Sequence, residues 1–192
     1  MQKQRIEQIL KESGVLMQGH FQLTSGRHSD KYMQCAKILQ FPWFATELVG
    51  YLAAAFENDA ADMVIAPAVG GVIIGYELAR QLNVKNAFAE RVDGVMTLRR
   101  DFAIPTGAKV IIAEDVVTTG GSVQEVIQLV KDAGAQLAGV ALLVDRSGGK
   151  VDFGTKTIAT YTAEVLSYEA DECPICKEGK LPLVKPGSRS LA

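Results

Sequence analysis

The sequence has no excess of basic side chains. Its 192 residues include 20 lysines and arginines against 22 aspartates and glutamates, and the formal net charge is -2. Proteins that bind nucleic acid through its phosphates usually carry a basic face, so we expect no nucleic-acid partner. The sequence also lacks an apolar run long enough to span a membrane, and its charged N-terminal segment has no signal-peptide core. We therefore expect no membrane partner and a cytoplasmic protein.

Cysteine is scarce, with three residues in the whole chain. Cys173 and Cys176 form a C-x-x-C pair near the C-terminus, which by its spacing is half of a zinc site. A complete site would need Cys35 and His28, both distant in sequence, or the same pair from a partner chain. We expect two ordinary cysteines in a reducing compartment rather than a metal site or a disulfide framework.

Two common nucleotide-binding motifs are missing. No Gly-Lys-Ser/Thr is present, which excludes a P-loop. The stretch from Val110 to Ser122 reads V-I-I-A-E-D-V-V-T-T-G-G-S. Its glycines are adjacent and follow the acidic residues, unlike the glycines of a dinucleotide-binding fingerprint.

This stretch combines an apolar strand, two acids and a loop of small residues. Val110–Ala113 predicts a buried parallel strand that ends in Glu114 and Asp115. The loop Thr118–Ser122 then precedes a helix with apolar residues at every third or fourth position. Glycine N–H groups and a helix start bind anions, whereas adjacent carboxylates suit hydroxyl groups or a metal. The stretch therefore predicts a sugar-phosphate site, and an ordinary capped turn is the simpler alternative.

A second loop has a similar layout. The apolar strand Met63–Ala66 enters P-A-V-G-G, residues Pro67–Gly71, and a helix is predicted over Val72–Leu82. A glycine pair after a strand is a weak signal on its own. Together, the two loops would serve the two phosphate ends of a substrate that carries a pyrophosphate group.

The segment E-D-V-V-T-T-G-G-S resembles the phosphoribosyl pyrophosphate (PRPP) motif of type I phosphoribosyltransferases. Two other segments are similar to those of orotate phosphoribosyltransferases: F-Q-L-T-S-G-R-H-S, which begins at Phe21, and the pair Asp145-Arg146. The resemblance implies an α/β fold with a mainly parallel sheet flanked by helices and a small N-terminal hood. It implies one phosphoribosyltransferase domain over 1–192, with a core at about 41–166. The hood would take about 1–40 plus a C-terminal tail at about 167–192.

The resemblance implies transfer of the 5-phosphoribosyl group from PRPP to orotate, which gives orotidine 5′-phosphate and pyrophosphate in pyrimidine biosynthesis. Mg²⁺ is the implied cofactor, held mainly through the substrate, and we assign no protein ligand to it. Two alternatives stay open: a phosphoribosyltransferase for purine bases, and a non-catalytic regulator that binds PRPP or a nucleotide. The acidic balance argues against the regulator. Arg146 favours orotate, because a purine has no carboxylate for it to bind.

The resemblance also implies roles for single residues. Glu114 and Asp115 would hold the ribose hydroxyls and Arg91 would neutralise pyrophosphate, so these are the expected catalytic residues. The second loop would contain a non-proline cis peptide within Ala68–Gly70. The residues expected to bind PRPP come from both loops, the acidic pair and an arginine-rich segment: Ala68, Val69, Gly70, Arg91, Arg99, Arg100, Glu114, Asp115, Val116, Val117, Thr118, Thr119, Gly120, Gly121 and Ser122.

Three residues are expected to bind orotate. Thr118 and Arg146 would orient it, and Tyr32 of the hood would cover its ring. The segment Arg91–Gly107 is either a solvated hairpin or a mobile lid with a glycine hinge. In the resembled family this lid reaches the neighbouring subunit, which implies a homodimer with a shared lid. Its cations here are arginines, with no lysine or histidine.

The remaining elements follow from apolar periodicity. We expect helices over 3–13 and Trp43–Phe56. The segment Phe21–Tyr32 is expected to be a surface loop or short hairpin, with His28 exposed to solvent. The remaining predicted strands are Asn86–Glu90, Gly139–Val144, Val151–Phe153 and Thr157–Thr162.

Overall fold

The computed structural model describes residues 2–23, 25–163 and 166–186. The chain divides into two compact units. The terminal unit comprises residues 1–40 and 164–192, and the central unit comprises residues 41–163.

The helices and strands are numbered in chain order, and a 3₁₀ helix over Cys35–Gln40 separates β2 from α2. They are α1 (Gln2–Glu12), β1 (Leu16–Gln22), β2 (His28–Met33), α2 (Pro42–Phe56), β3 (Met63–Pro67), α3 (Gly70–Leu82), β4 (Lys85–Val92), β5 (Val95–Leu98), β6 (Lys109–Val117), α4 (Gly121–Asp132), β7 (Gln136–Asp145), β8 (Thr157–Thr162) and α5 (Pro174–Glu178).

Strands β3 to β8 form the sheet of the central unit, in the order β5-β4-β3-β6-β7-β8. Its neighbouring strands are parallel, apart from the antiparallel hairpin of β4 and β5 at one edge. Parallel strands need crossover connections, and the helices supply them. The predicted α/β fold, with a mainly parallel sheet flanked by helices, is confirmed.

Helices cover both faces of this sheet. On one face, α4 buries its apolar side in a cluster that includes Ile65 of β3 and Ile112 of β6. Ala66 follows Ile65 and therefore points to the opposite face. There α3 approaches so closely that a Cβ on Gly75 would lie 2.8 Å from the Cβ of Ala66. Because both faces are covered, β3 is buried along its whole length and its residues are apolar throughout.

The two glycine-containing loops predicted from the sequence, Pro67–Gly71 and Thr118–Ser122, lie at one edge of the sheet. Strands β3 and β6 are parallel neighbours, so the segments that leave their carboxyl ends start side by side. Helices α3 and α4 begin within four residues of those ends, at Gly70 and Gly121. Ligands of open parallel sheets bind at this edge, which is where the sequence predicted them.

The terminal unit contains the antiparallel hairpin β1–β2. The C-terminal tail runs along both of its edges. The N–H of Val184 donates to the carbonyl of His20 at 2.8 Å, and the N–H of Gln22 donates to the carbonyl of Val184 at 2.8 Å. On the other edge, His28 and Tyr168 exchange two hydrogen bonds of 2.8 Å. The tail therefore completes the small sheet of this unit.

Two expectations are wrong. His28 is buried, with 4% of its surface exposed, because the tail covers its strand edge. Val151–Phe153 is not a strand. The N–H of Val151 donates to the Ser147 hydroxyl, and Phe153 turns into the core cluster instead of pairing along a ladder.

Within the described ranges, no helix combines the length and the apolar character needed to cross a lipid bilayer.

Candidate active site

Glu114 and Asp115 lie near the carboxyl end of strand β6, which ends at Val117. Glu114 is buried and Asp115 is half-buried. Burial, with the negative charge of Asp115 in addition, raises the pKa of Glu114 to about 9. Burial also raises the pKa of Asp115. The pair therefore resists carrying two negative charges until hydroxyl groups or a cation come close.

The second loop presses its backbone against this acidic pair. A Cβ on Gly70 would overlap the carboxyl group of Asp115, and a Cβ on Gly71 would lie 2.9 Å from Oε1 of Glu114. A side chain at either position would therefore displace the acidic groups, which favours glycine at both. The peptide bond between Ala68 and Val69 is cis, within the segment for which a cis peptide was predicted. The structure thus brings the two loops together at the acidic pair.

The loop after β6 leads directly into α4. Gly120 has φ of 81°, and a Cβ there would lie 2.9 Å from atoms of Val151 and Phe153. Only glycine meets both conditions. Thr118 and Thr119 are exposed, and α4 begins at Gly121. The first N–H groups of a helix have no partner inside it, so this loop offers hydroxyl and N–H donors that can bind an anion.

A cleft of about 340 Å³ opens over this loop. Its lining residues come from the end of β6, the loop, the start of α4 and β4: Arg91, Glu114, Val116, Val117, Thr118, Thr119, Gly120, Gly121, Ser122 and Val123. The lining therefore combines a carboxyl group with the hydroxyls and backbone N–H groups of the loop. A phosphorylated sugar needs both.

Arg91 contributes the cation of this cleft. Its Nη1 donates to the Gly94 carbonyl at 3.1 Å and lies 2.8 Å from Oε2 of Glu125 in α4. The sequence did not indicate that Glu125 would pair with Arg91, because nothing distinguishes Glu125 from any other surface residue of helix α4. The ion pair holds Arg91 beside the loop and leaves the guanidinium about half exposed.

Arg99 and Arg100 lie elsewhere. Both pair with Glu90, at 3.8 Å and 3.3 Å, and Arg100 stacks over the ring of Phe88. Glu90 precedes Arg91 in β4, so their side chains point to opposite faces of the sheet. The two arginines are therefore not in the cleft that Arg91 lines. The residues from Arg91 to Leu98 form the β4–β5 hairpin.

Arg146 follows β7 directly. Its N–H donates to the carbonyl of Val117 at 2.8 Å, which ties it to the start of the threonine loop. The carboxylate of Asp145 accepts hydrogen bonds from the N–H groups of Ser147 and Gly149, at 2.7 Å and 2.8 Å. Asp145 thus shapes the turn, and the strand order places Arg146 beside the acidic strand end. Tyr32 belongs to β2 of the terminal unit.

A comparison with protein-family models matches residues 36–154 to the phosphoribosyl transferase domain. The matched range includes both loops, the acidic pair and Arg146. An orotate phosphoribosyltransferase from Pelotomaculum thermopropionicum is 52% identical over 191 residues, which cover 100% of each chain. The chain belongs to the orotate phosphoribosyltransferase family.

Solved structures agree on the fold. An orotate phosphoribosyltransferase from Aeropyrum pernix superposes with a TM-score of 0.68 at 24% identity, covering 82% of this chain and 93% of the other. An adenine phosphoribosyltransferase from Thermoanaerobacter pseudethanolicus gives a TM-score of 0.61 at 21% identity, covering 69% and 88%. The fold is thus shared between enzymes for different bases. Membership of the orotate phosphoribosyltransferase family rests on sequence identity.

Proposed function

We propose that this protein transfers the 5-phosphoribosyl group of PRPP to orotate, with orotidine 5′-phosphate and pyrophosphate as products. One observation carries the proposal: the cleft joins the buried Glu114 of the acidic pair to a threonine-glycine loop at a helix start, and the backbone N–H of Arg146 is hydrogen-bonded to Val117, just before that loop. PRPP carries the hydroxyls that suit the acidic pair and the phosphate that suits the loop. Orotate carries the carboxylate that suits Arg146. Family membership makes the chain an enzyme of pyrimidine biosynthesis.

In this proposal, Glu114 and Asp115 accept hydrogen bonds from the ribose hydroxyls. Backbone N–H groups and hydroxyls of Thr118–Ser122 hold the 5′-phosphate at the start of α4. The raised pKa of Glu114 supports this assignment, because ribose hydroxyls or a cation would stabilise the negative charge that burial disfavours on this pair. Carboxylate oxygens at this position also fit Mg²⁺, whose chemical contribution is to neutralise the pyrophosphate.

Arg91 is the proposed partner of pyrophosphate. It would exchange its contact with Glu125 for the phosphate oxygens, to which guanidinium binds in a bidentate manner. Ala68, Val69 and Gly70 would present backbone N–H groups to the same pyrophosphate. Arg99 and Arg100 would reach the pyrophosphate only through movement of the predicted lid, Arg91–Gly107, to which both belong.

Arg146 and Thr118 are the proposed orotate contacts. A planar guanidinium matches the planar carboxylate of orotate, and bidentate pairs of this kind fix orientation as well as add energy. Positioning two substrates in this way supplies several kcal/mol of barrier lowering without a covalent nucleophile. The contact of Tyr32 with the orotate ring stays a prediction.

We also propose a cytoplasmic homodimer. Supporting it, α3 exposes large apolar side chains on one face: Ile73 is 49% and Tyr76 62% exposed, and Val69 just before the helix is 84% exposed. Apolar side chains clustered on one helix face are typical of protein interfaces. A lid shared with the neighbouring subunit is part of the same proposal.

The test follows orotate consumption by ultraviolet absorbance, with PRPP and Mg²⁺ present and with each omitted in turn. We expect consumption only with all components. Arg146→Ala should lower kcat/KM for orotate by ~100-fold or more, since a charged bidentate contact is lost. A panel of purine bases is run in parallel.

Lys131→Ala is the control, because Lys131 is an exposed residue in the last turn of α4, at the opposite end of that helix from the cleft. It should leave kcat/KM within about twofold. Turnover of a purine base without turnover of orotate would overturn the orotate assignment. PRPP binding without any turnover would favour the regulator.

A further inference from the structure

The terminal unit gathers four metal-ligating side chains that the transferase chemistry does not use. They are His20 of β1, His28 of β2, and Cys173 and Cys176 at α5. Their ligand atoms all lie within 4.8 Å of one another. His20, His28 and Cys173 are buried, and Cys176 is exposed. The sequence pointed to His28, but it also pointed to Cys35, which is not in the cluster, and it missed His20.

The distances fit a single tetrahedral ion. Zinc binds sulfur at about 2.3 Å and imidazole nitrogen at about 2.05 Å, so tetrahedral geometry requires about 3.6 Å between S and N and about 3.3 Å between two N atoms. Here Nε2 of His20 lies 3.6 Å from the sulfur of Cys173 and 3.6 Å from that of Cys176. Nδ1 of His28 lies 3.3 Å from the Cys176 sulfur and 3.1 Å from Nε2 of His20.

The ring of His20 is oriented for this role by a second contact. Its Nδ1 lies 3.3 Å from the carbonyl oxygen of Leu181 in the tail. A proton on Nδ1 donated to that carbonyl leaves Nε2 with a free lone pair facing the two sulfurs. Histidines that bind metals commonly make such an outer hydrogen bond, which fixes the tautomer.

The distances and the charges of the four ligands favour a single zinc ion over an iron–sulfur cluster. In a Rieske cluster the two cysteines and two histidines bind different iron atoms, which separates sulfur from nitrogen more widely than 3.3–3.6 Å. Two thiolates, two neutral imidazoles and one divalent ion sum to zero charge, so the buried site carries no net charge. Four protein ligands leave no open position for substrate, which is typical of structural zinc.

We propose that His20, His28, Cys173 and Cys176 bind one structural Zn²⁺, which fastens the C-terminal tail to the β1–β2 hairpin. Binding releases the two thiol protons to solvent. The exposed Cys176 gives the ion a way in. The site is independent of the transferase activity proposed above.

The first experiment measures zinc in the purified full-length protein by mass spectrometry of the metal, together with released thiols. We expect about one zinc per chain, and Cys176→Ser and His20→Gln should each lower the content at least ~10-fold. Replacement by Co²⁺ should produce the intense visible absorption of a tetrahedral site and a sulfur-to-cobalt charge-transfer band.

Cys35→Ser is the matched control. Cys35 is a buried cysteine of the same unit, and it lies outside the cluster. It should keep about one zinc per chain. If Cys35→Ser loses the metal as fully as Cys176→Ser, the assignment of ligands is wrong.

Two further outcomes would overturn the proposal. An intact mass lower by two hydrogens, with Cys173 and Cys176 absent from the thiol count, would identify a disulfide. Free thiols with no bound metal after purification in zinc-containing buffer would identify an ordinary hydrogen-bonded cluster. Circular dichroism of each variant, in parallel, separates loss of the site from failure to fold.

Discussion

The acidic pair of the central unit and the His/Cys cluster of the terminal unit solve the same physical problem in opposite ways. Both bring titratable groups together inside the protein. Burial, together with the negative charge of Asp115, raises the pKa of Glu114, so charging both groups is costly without a partner. The His/Cys cluster has donor atoms spaced for one cation, which would satisfy all of them at once. The first arrangement suits a substrate that comes and goes, and the second suits a permanent part of the structure.

The largest expected effect tests whether the His/Cys cluster holds the tail. Cys173→Ser should make backbone amides of the tail, such as those of Tyr168 and Val184, exchange with solvent ~100-fold faster, equivalent to about 3 kcal/mol of local opening. Amides of β6 in the central unit should be unaffected. Hydrogen exchange read by mass spectrometry on peptides covering 166–186 measures this. Equal acceleration in both units would mean that the cluster is not a local fastener.

The second prediction concerns how the acidic pair lowers the free energy of unfolding, and how this cost depends on pH. Folding raises the pKa of Glu114 from 4.5 to about 9, so the folded state keeps a proton that the unfolded chain releases. The contribution of Glu114 to the free energy of unfolding should therefore be most favourable below pH 4.5 and fall progressively as pH rises toward 9. Glu114→Gln removes this cost, so at pH 8 it should raise the free energy of unfolding by ~2 kcal/mol while lowering activity.

Urea unfolding of the wild type and of Glu114→Gln at pH 4 and pH 8 checks this sign. Glu77 is a control of opposite sign, because its hydrogen bonds with Arg80 lower the pKa of Glu77 to about 2. Glu77→Gln should lose a little stability at pH 8, and only a little, because its partner Arg80 is about half exposed to solvent. A gain in stability from Glu114→Gln that is as large at pH 4 as at pH 8 would contradict the role of charge.

A third effect tests how closely the second loop must approach the acids. A Cβ on Gly71 would lie 2.9 Å from Oε1 of Glu114 and 3.1 Å from the Ala113 carbonyl, whereas one on Gly121 would meet nothing within 4 Å. Gly71→Ala should therefore cost about 1–3 kcal/mol of stability, and Gly121→Ala should cost nothing or stabilise α4 slightly. Thermal unfolding compares the two. Equal shifts in Tm would show that crowding at Gly71 is relieved elsewhere.

The smallest effect concerns the surface contacts of the same tail. Arg27 of the terminal unit forms an ion pair with Glu169, whose side chain is 59% exposed. Such pairs contribute little, so Glu169→Gln should lower stability by no more than ~0.5 kcal/mol. Thermal unfolding at low and high salt measures it. A loss comparable to that of Cys173→Ser would assign the fastening of the tail to charge rather than to the cluster.

The central site was predictable because its residues are local in sequence. The strand, acids, loop and helix of 110–132 follow one another in the chain. Apolar periodicity predicts the strand and the helix, and the glycines predict the loop between them. Glu125 and Glu90 were not predictable, because a carboxylate on a helix or strand surface carries no signal of which arginine it will meet. Their pairing depends on which side of the β4–β5 hairpin each arginine reaches, and that depends on the turn at Asp93-Gly94.

The terminal cluster was only half predictable for the opposite reason. Cys173 and Cys176 are three residues apart and read as a pair, but His20 lies 153 residues before Cys173. Only the pairing of the tail with both edges of the hairpin brings them together. His28 looked like a solvent-exposed residue of a polar loop, since nothing in its neighbourhood shows that Tyr168 will cover that edge.

The bridges at Val184 and Tyr168 have a consequence for how the chain is made. A two-stranded sheet has two open edges, and open edges accept strands from other chains. The ribosome releases β1 and β2 well before it reaches Tyr168, so both edges of the hairpin are exposed during that interval. A segment translated much later is therefore the one that closes the hairpin against strand addition by neighbouring nascent chains.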